Sequence, residues 1–277
     1  MGHLGGASKI AKRELIVLTF LLSWSICLSA QVDAATIIKK SAEANDRDWA
    51  AAPQFDDSER DIDKNGDRTY EVTMLFGSPY QRLIALNGHD LSPAKQKDEQ
   101  RKYEQAVNDR QHESSDKRSQ RIAKYEADRK RDYTLIQQMV VAFDFSLLRE
   151  ETLTDRQVYV LKATPKVGYR PPNRDSAVLT GMEGTLWIDR DTYQWVKVQA
   201  HVVHPVKIEG FLAVVEPGTQ FEVEKIPVSG DIWLTKHFSM KSNARVFLLF
   251  PHRGQEDDSF FNYHKAANGP PGKESGQ

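Results

Sequence analysis

The chain has 277 residues, 39% hydrophobic and 28% charged, with a mean hydropathy of −0.58 and a formal net charge of −1. That length and apolar content suffice for one good-sized core or two small ones. So balanced a charge leaves no electrostatic footprint for nucleic acid, whose binding domains concentrate Lys and Arg against phosphate.

The first stretch has the make-up of an export signal. Lys9, Lys12 and Arg13 form a basic start, LIVLTFLLSWSICLSA from Leu15 to Ala30 is apolar, and small residues follow at Ala30, Ala34 and Ala35. The apolar run falls short of the roughly 20 residues a spanning helix needs. Cleavage near Ala30 or after Ala34 is therefore expected over a retained anchor, leaving no integral membrane span. Cys27, the only cysteine, follows Ile26, where a lipoprotein signal wants a small residue. Loss of residues 1–34 removes this thiol, and with it any disulfide or cysteine nucleophile. It also takes away Lys9, Lys12 and Arg13 against Glu14 and Asp33, so the net charge becomes −2. No Asn-x-Ser/Thr acceptor occurs, and a bacterial periplasm is the expected location.

Thr36 to Ala52 reads as a short helix with Ile37, Ile38, Ala42 and Trp49 near one stripe, ended by Pro53. Extended segments follow: FDDSERDI, a Lys64-Asn65-Gly66 turn, then RTYEVTMLF, where Tyr70, Val72 and Met74 alternate with Thr69, Glu71 and Thr73. DIDKNGDRTYEV, from Asp61 to Val72, matches the start of a calcium-binding loop at Asp61, Asp63, Asn65 and Gly66. The twelfth place, which must close on the ion with a carboxylate, holds Val72, and the flanks alternate as strands where helices are needed. A tight hairpin is the reading, since Asn and Gly accept positive φ. YQRLIALNG gives the next strand and ends on an Asn87-Gly88 turn.

Ser92 and Pro93 then open a long charged helical segment to about Arg131, with sparse apolar residues at Tyr103, Ala106, Val107, Ile122 and Tyr125, continued by Tyr133, Ile136 and Val140. HESSDK is where it would divide into two helices, a solvated hairpin resting on one thin stripe; the sharper alternative is a movable lid. Beyond Val141 strands return: AFDFSLLREETL, RQVYVLKATP, the pair Gly184 to Asp189 and Trp195 to Val203, IEGFLAVV, TQFEVEKIPV, DIWLTKHFSMKS, ARVFLLF and SFFNYHK. By alternation Val196, Val198, Ala200 and Val202 share one face and Trp195 falls on the other. The fold class is thus α+β: a single strongly curved antiparallel sheet of about ten strands, a half-barrel whose concave face is covered by helices.

Catalytic signatures are absent from the sequence. His201 and His204 of HVVH, three apart in a strand, point to opposite faces. No G-x-S-x-G elbow, HExxH helix or phosphate loop occurs. DIDKNGD and Glu256-Asp257-Asp258 are acidic, and turn chemistry and solvation account for them. No enzyme and no cofactor or metal is expected.

The run GTLWIDRDTYQWVKVQAHVVHPV, GFLAVVEPGTQFEVE, DIWLTKHF, ARVFLLF and FNYHK, preceded by YVLKATPKVGYRPP, resembles the periplasmic lipoprotein-carrier (LolA-like) superfamily, in particular its outer-membrane lipoprotein-sorting-like bacterial members. The likeness covers roughly Gln54 to Lys265, on a glycine-led strand and Ile-Asp turn at Gly184, Trp187, Ile188 and Asp189 and a late aromatic strand at Trp233. It implies a half-closed barrel with helices over an apolar trough, which holds an acyl chain in some members, while others act as envelope-stress sensors. The charged segment from Pro93 to Arg131 is longer than the short lid helices of the carriers. The expected organisation is an export signal over 1–34, a LolA-like domain over 35–265 with a helical insertion at about 92–140, and a disordered tail over 266–277.

The leading expectation is a periplasmic carrier for the acyl chain of a lipid or lipoprotein, with Trp187, Trp195, Phe211, Phe221 and Trp233 as candidate lining residues, each of which core or cross-strand packing also explains. A protein-interaction or envelope-stress sensor module, meeting an envelope protein through the charged helices, and an unrecognised hydrolase are the alternatives.

Overall fold

A computed structural model describes residues 33–208, 213–246 and 250–267. Its frame is one open antiparallel sheet: β1 (Phe55–Asp63), β2 (Gly66–Leu75), β3 (Ser78–Leu86), β4 (His89–Asp90), β5 (Phe143–Leu153), β6 (Arg156–Pro165), β7 (Met182–Asp189), β8 (Trp195–Val202), β9 (Val206–Ile208), β10 (Ala213–Val215), β11 (Gln220–Ser229), β12 (Ile232–Val246) and β13 (Phe250–Lys265). The order is β4-β3-β2-β1-β13-β12-β11-β8-β7-β6-β5, with β10 joining β9 to β12. The expected α+β class with a curved, unclosed sheet is what the chain adopts. There are thirteen strands where about ten were expected, in part because β4, β9 and β10 are only two or three residues long. DIWLTKHFSMKS and the start of ARVFLLF, read separately in the sequence, run on as the single strand β12.

Three helices accompany the sheet: α1 (Ala34–Ala51), α2 (Pro93–His112) and α3 (Ser115–Ala142). The Asp33 side chain caps α1 by accepting from the Thr36 N–H at 2.8 Å. The charged segment divides at Glu113-Ser114, inside HESSDK, with Ser114 capping α3. Arginines, more than an apolar stripe, hold this hairpin to the sheet. Arg110 donates to the carbonyls of Leu75, Ser78 and Pro79, and Arg121 to Phe76 O and Ser78 Oγ. No residue of α2 is fully buried.

Paired residues on neighbouring antiparallel strands share a face, so one line of partners can be followed across ten strands. It runs Leu147, Leu161, Leu186, Val198, Val223, Phe238, Asp258, Asp61, Arg68, Leu86. The inner face is therefore apolar from β5 to β12 and charged at β13, β1 and β2. The core lies on the apolar half, where Ile37 and Ile38 of α1 and Met139 and Ala142 of α3 join Leu161, Leu186, Ile188 and Val198. The outer face of the same strands is polar, as Lys197 paired with Glu222 and Glu224 illustrates.

Candidate functional site

The site follows from the way α1 sits on this apolar surface. Its buried residues, Ile37, Ile38, Ser41, Ala44, Asn45 and Asp48, recur at helical spacing, apolar in the first turn and polar towards the end. The apolar part packs on the sheet. The polar part is fastened to it: Ser41 Oγ accepts from Trp195 Nε1 at 2.5 Å, and Asp48 Oδ1 accepts from Gln194 Nε2 at 3.0 Å and from the Trp233 N–H at 2.9 Å. Lys225 Nζ donates to Asn45 Oδ1 at 3.0 Å and forms an ion pair with Asp48 Oδ2. Side-chain exposure at this pair is 9% for Lys225 and 3% for Asp48. Burial pushes the Lys225 ammonium below its usual range, and the Asp48 charge opposes that shift.

The C-terminal end of α1 is gripped from the side by α3. Trp49 stacks on Tyr133 with ring centroids 4.9 Å apart, the Arg129 guanidinium lies 4.7 Å from the Trp49 ring centroid and donates to Trp49 O, and Tyr133 donates to Asp46. Between α3, the 3-10 turn Asp175–Gly181 and the sheet, the void left among Met139, Phe143, Phe145, Leu179 and Phe221 is about 10 Å³. A carrier reading from sequence asks for a trough left partly unfilled by the protein's own side chains. Under α3 and this turn the space left is about that of one water, too small for a hydrocarbon tail, while wider clefts of about 570 and 720 Å³ open elsewhere, one along Ala200, Phe221, Met240 and Glu256 and one along Ile62, Asp63, Lys241 and Gln255.

The five aromatic residues singled out in the sequence are placed differently from one another. Phe221 is half-buried on the inner face and borders the void. Trp195 is 6% exposed in the core, its indole bonded to Ser41. Simple alternation puts it on the opposite face. The register shift between β7 and β8, in which Ile188 faces Trp195 and Trp187 faces Lys197, leaves Val196 as the extra residue of a bulge and turns Trp195 inward. Trp233 is 2% exposed, with Asp48 at its N–H and the Arg156 guanidinium 4.5 Å from its ring. Trp187 pairs with Val160 and Lys197 on the outer face, where its Nε1 donates to Glu151 at 2.7 Å. Phe211 lies outside the described residues, as do residues 1–32 of the expected export signal and 268–277 of the tail.

His201 is exposed on β8 and His204 lies beyond its end. Among the described residues no group of three or more His, Cys, Asp or Glu is placed to hold a metal ion, and no helix is long and apolar enough to cross a membrane. Sequence reasoning missed Asp48 and Lys225. The one available signal was an acidic residue, Asp48, on the same helical stripe as Ile37 and Ile38.

No protein-family model matches the chain, and no curated protein matches it. Solved structures are similar over most of its length. An outer membrane lipoprotein-sorting protein domain from Vibrio parahaemolyticus is 11% identical, covering 84% of this chain and 95% of that one, with a TM-score of 0.34. A LolA superfamily protein from Nitrosomonas europaea is 14% identical, over 86% and 96%, at 0.33. A DUF1329 family protein from Desulfovibrio piger is 10% identical, over 85% and 95%, at 0.34. TM-scores this low superpose only part of two folds, and the strand order and register of the chain itself define its architecture.

Proposed function

We propose that this protein is a periplasmic carrier that takes up the acyl chain of a lipid or lipoprotein on the inner face of β5 to β8, by displacing α1. One observation carries the reading: the helix over the apolar surface is fastened by a compact set of polar contacts centred on Asp48 and Lys225. Displacing α1 separates Asp48 from Lys225, and breaking a buried pair by removing one partner costs about 3–5 kcal/mol, so the contacts set the threshold that a bound ligand must exceed. An acyl chain that replaces α1 on Leu161, Leu186, Ile188 and Val198 recovers the burial the helix gave up, at about 25 cal/mol per Å² of apolar surface kept from water. No catalytic step is assigned.

The test is native mass spectrometry of the protein isolated from its own envelope without detergent, alongside Lys225→Met. The expected result is a population carrying one lipid-sized adduct, larger in Lys225→Met because α1 is released more easily. Adduct-free spectra for both proteins, with both folded by circular dichroism, would remove the carrier reading.

A further inference from the structure

The charged half of the inner face assembles two acidic runs that lie at opposite ends of the sequence. Alternation in β1 puts Asp57, Glu59, Asp61 and Asp63 on the inner face, and register places Asp258 directly opposite Asp61 and Glu256 directly opposite Asp63. Like charges directly opposite one another on paired strands destabilise a sheet. Arg68 answers part of this charge, at 2.7 Å from Asp61 and 3.1 Å from Asp63, and Gln81 donates to Glu59 at 2.8 Å. Asp57, Glu256 and Asp258 have no cationic side chain in ion-pair contact among the described residues.

Asp258 is the telling group. It is only 8% exposed, and its Oδ1 is buried with no hydrogen-bond partner. A buried polar atom left unpaired costs about 1–3 kcal/mol, more for a charged one. Burial first, then Glu256, Asp61 and Glu59, push its carboxyl up to about 7; burial first, then Glu59 and Asp56, do the same to Asp57. Same-face residues recur along each strand at roughly 6.6 Å, and among the described residues these carboxylates form no group placed to hold a metal ion. Apolar side chains are set between them: Phe260 and Tyr70 face Glu59 across the two neighbouring strands, Phe238 faces Asp258, and Met240 faces Glu256.

We propose that this half of the inner face binds a linear aliphatic polyamine. Its ammonium groups meet the carboxylates of Asp258, Glu59 and Asp57 in turn, one of them reaching the unpartnered Oδ1 of Asp258, and its methylene spacers lie on Phe238, Phe260 and Tyr70. The proposal is independent of the acyl-chain reading, since it uses the opposite half of the face.

Isothermal titration of the full chain with spermidine at low salt and pH 7.5 tests it, with magnesium and an alternating Lys-Val peptide as competing cations. Asp258→Asn and Glu59→Gln keep shape and remove charge, and each is expected to weaken spermidine binding on the order of tenfold, roughly 1.4 kcal/mol. Asp257→Asn, on the outer face beside His237, is expected to leave it unchanged. Heat that differs between buffers of different ionisation enthalpy, from protons released by Asp258 and Asp57, is expected with spermidine and lost in Asp258→Asn. Spermidine binding no tighter than magnesium binding, or equal in all three variants, would overturn the proposal. The peptide binding more tightly than spermidine, with the same dependence on Asp258, would replace the polyamine by a basic protein segment and overturn it too.

Discussion

The two halves of the inner face treat buried charge in opposite ways. Under α1, the ion pair of Asp48 and Lys225 is surrounded by partners, with Asn45, Gln194 and the Trp233 N–H completing its hydrogen bonds. At β1 and β13, carboxylates face carboxylates, and Arg68 is shared by two of them. The first arrangement orients a helix and specifies where it docks. The second spends stability to hold negative charge in place, the usual mark of a surface shaped by something other than folding.

The contrast can be broken first at its most costly point. Asp48→Ala strands Lys225 in the core and is expected to cost about 3–5 kcal/mol in urea denaturation, as removal of one partner of a buried pair does. Replacing both, as Asp48→Leu with Lys225→Met, is expected to restore much of that loss. Apolar truncation should show the same asymmetry at smaller scale: Leu161→Ala, fully buried in the core, is expected to cost about 3 kcal/mol, and Leu83→Ala, half-buried on the charged half, under about 1 kcal/mol.

The pH dependence separates the halves next. Burial, with the neighbouring carboxylates of Glu256, Asp61 and Glu59, raises the Asp258 carboxyl to about 7 in the folded protein. A carboxyl raised on folding binds its proton more tightly in the native state. It therefore penalises folding least below the ordinary carboxylate value, and stability falls as pH rises from about 4 to about 7. Asp258→Asn is expected to flatten that fall and to stabilise the protein at pH 8 by about 1 kcal/mol, read from urea midpoints at pH 5 and 8. The hairpin dock offers one more test. Gly77 has φ +91°, where any Cβ is strained, and a Cβ there would sit 2.8 Å from Ile122 Cδ1; the isoleucine tip can shift but the backbone strain stays, so Gly77→Ala is expected to cost about 1–2 kcal/mol.

Much of this architecture was legible in local pattern. Alternation in RTYEVTMLF and the Lys64-Asn65-Gly66 turn gave β1, β2 and their hairpin, because period and turn chemistry are properties of neighbours in sequence. The break of the charged segment at HESSDK was equally local. What sequence reading lost was set by distant partners. The bulge at Val196 turns Trp195 inward, and no residue near it announces that. Glu256-Asp257-Asp258 reads as a solvated turn until β13 pairs with β1, which brings it to Asp61 and Asp63. The contact of Asp48 with Lys225 joins the first helix to the eleventh strand, a separation across which a helical stripe carries no information.

Whether α1 leaves the apolar face when an acyl chain arrives can be read from hydrogen exchange with and without a saturating detergent-free fatty acid. The amides of α1 from Ile37 to Asp48 are expected to lose protection in the complex while those of β6 to β8 keep theirs. Fatty-acid binding that leaves α1 protection unchanged, or no binding at all, would contradict that displacement.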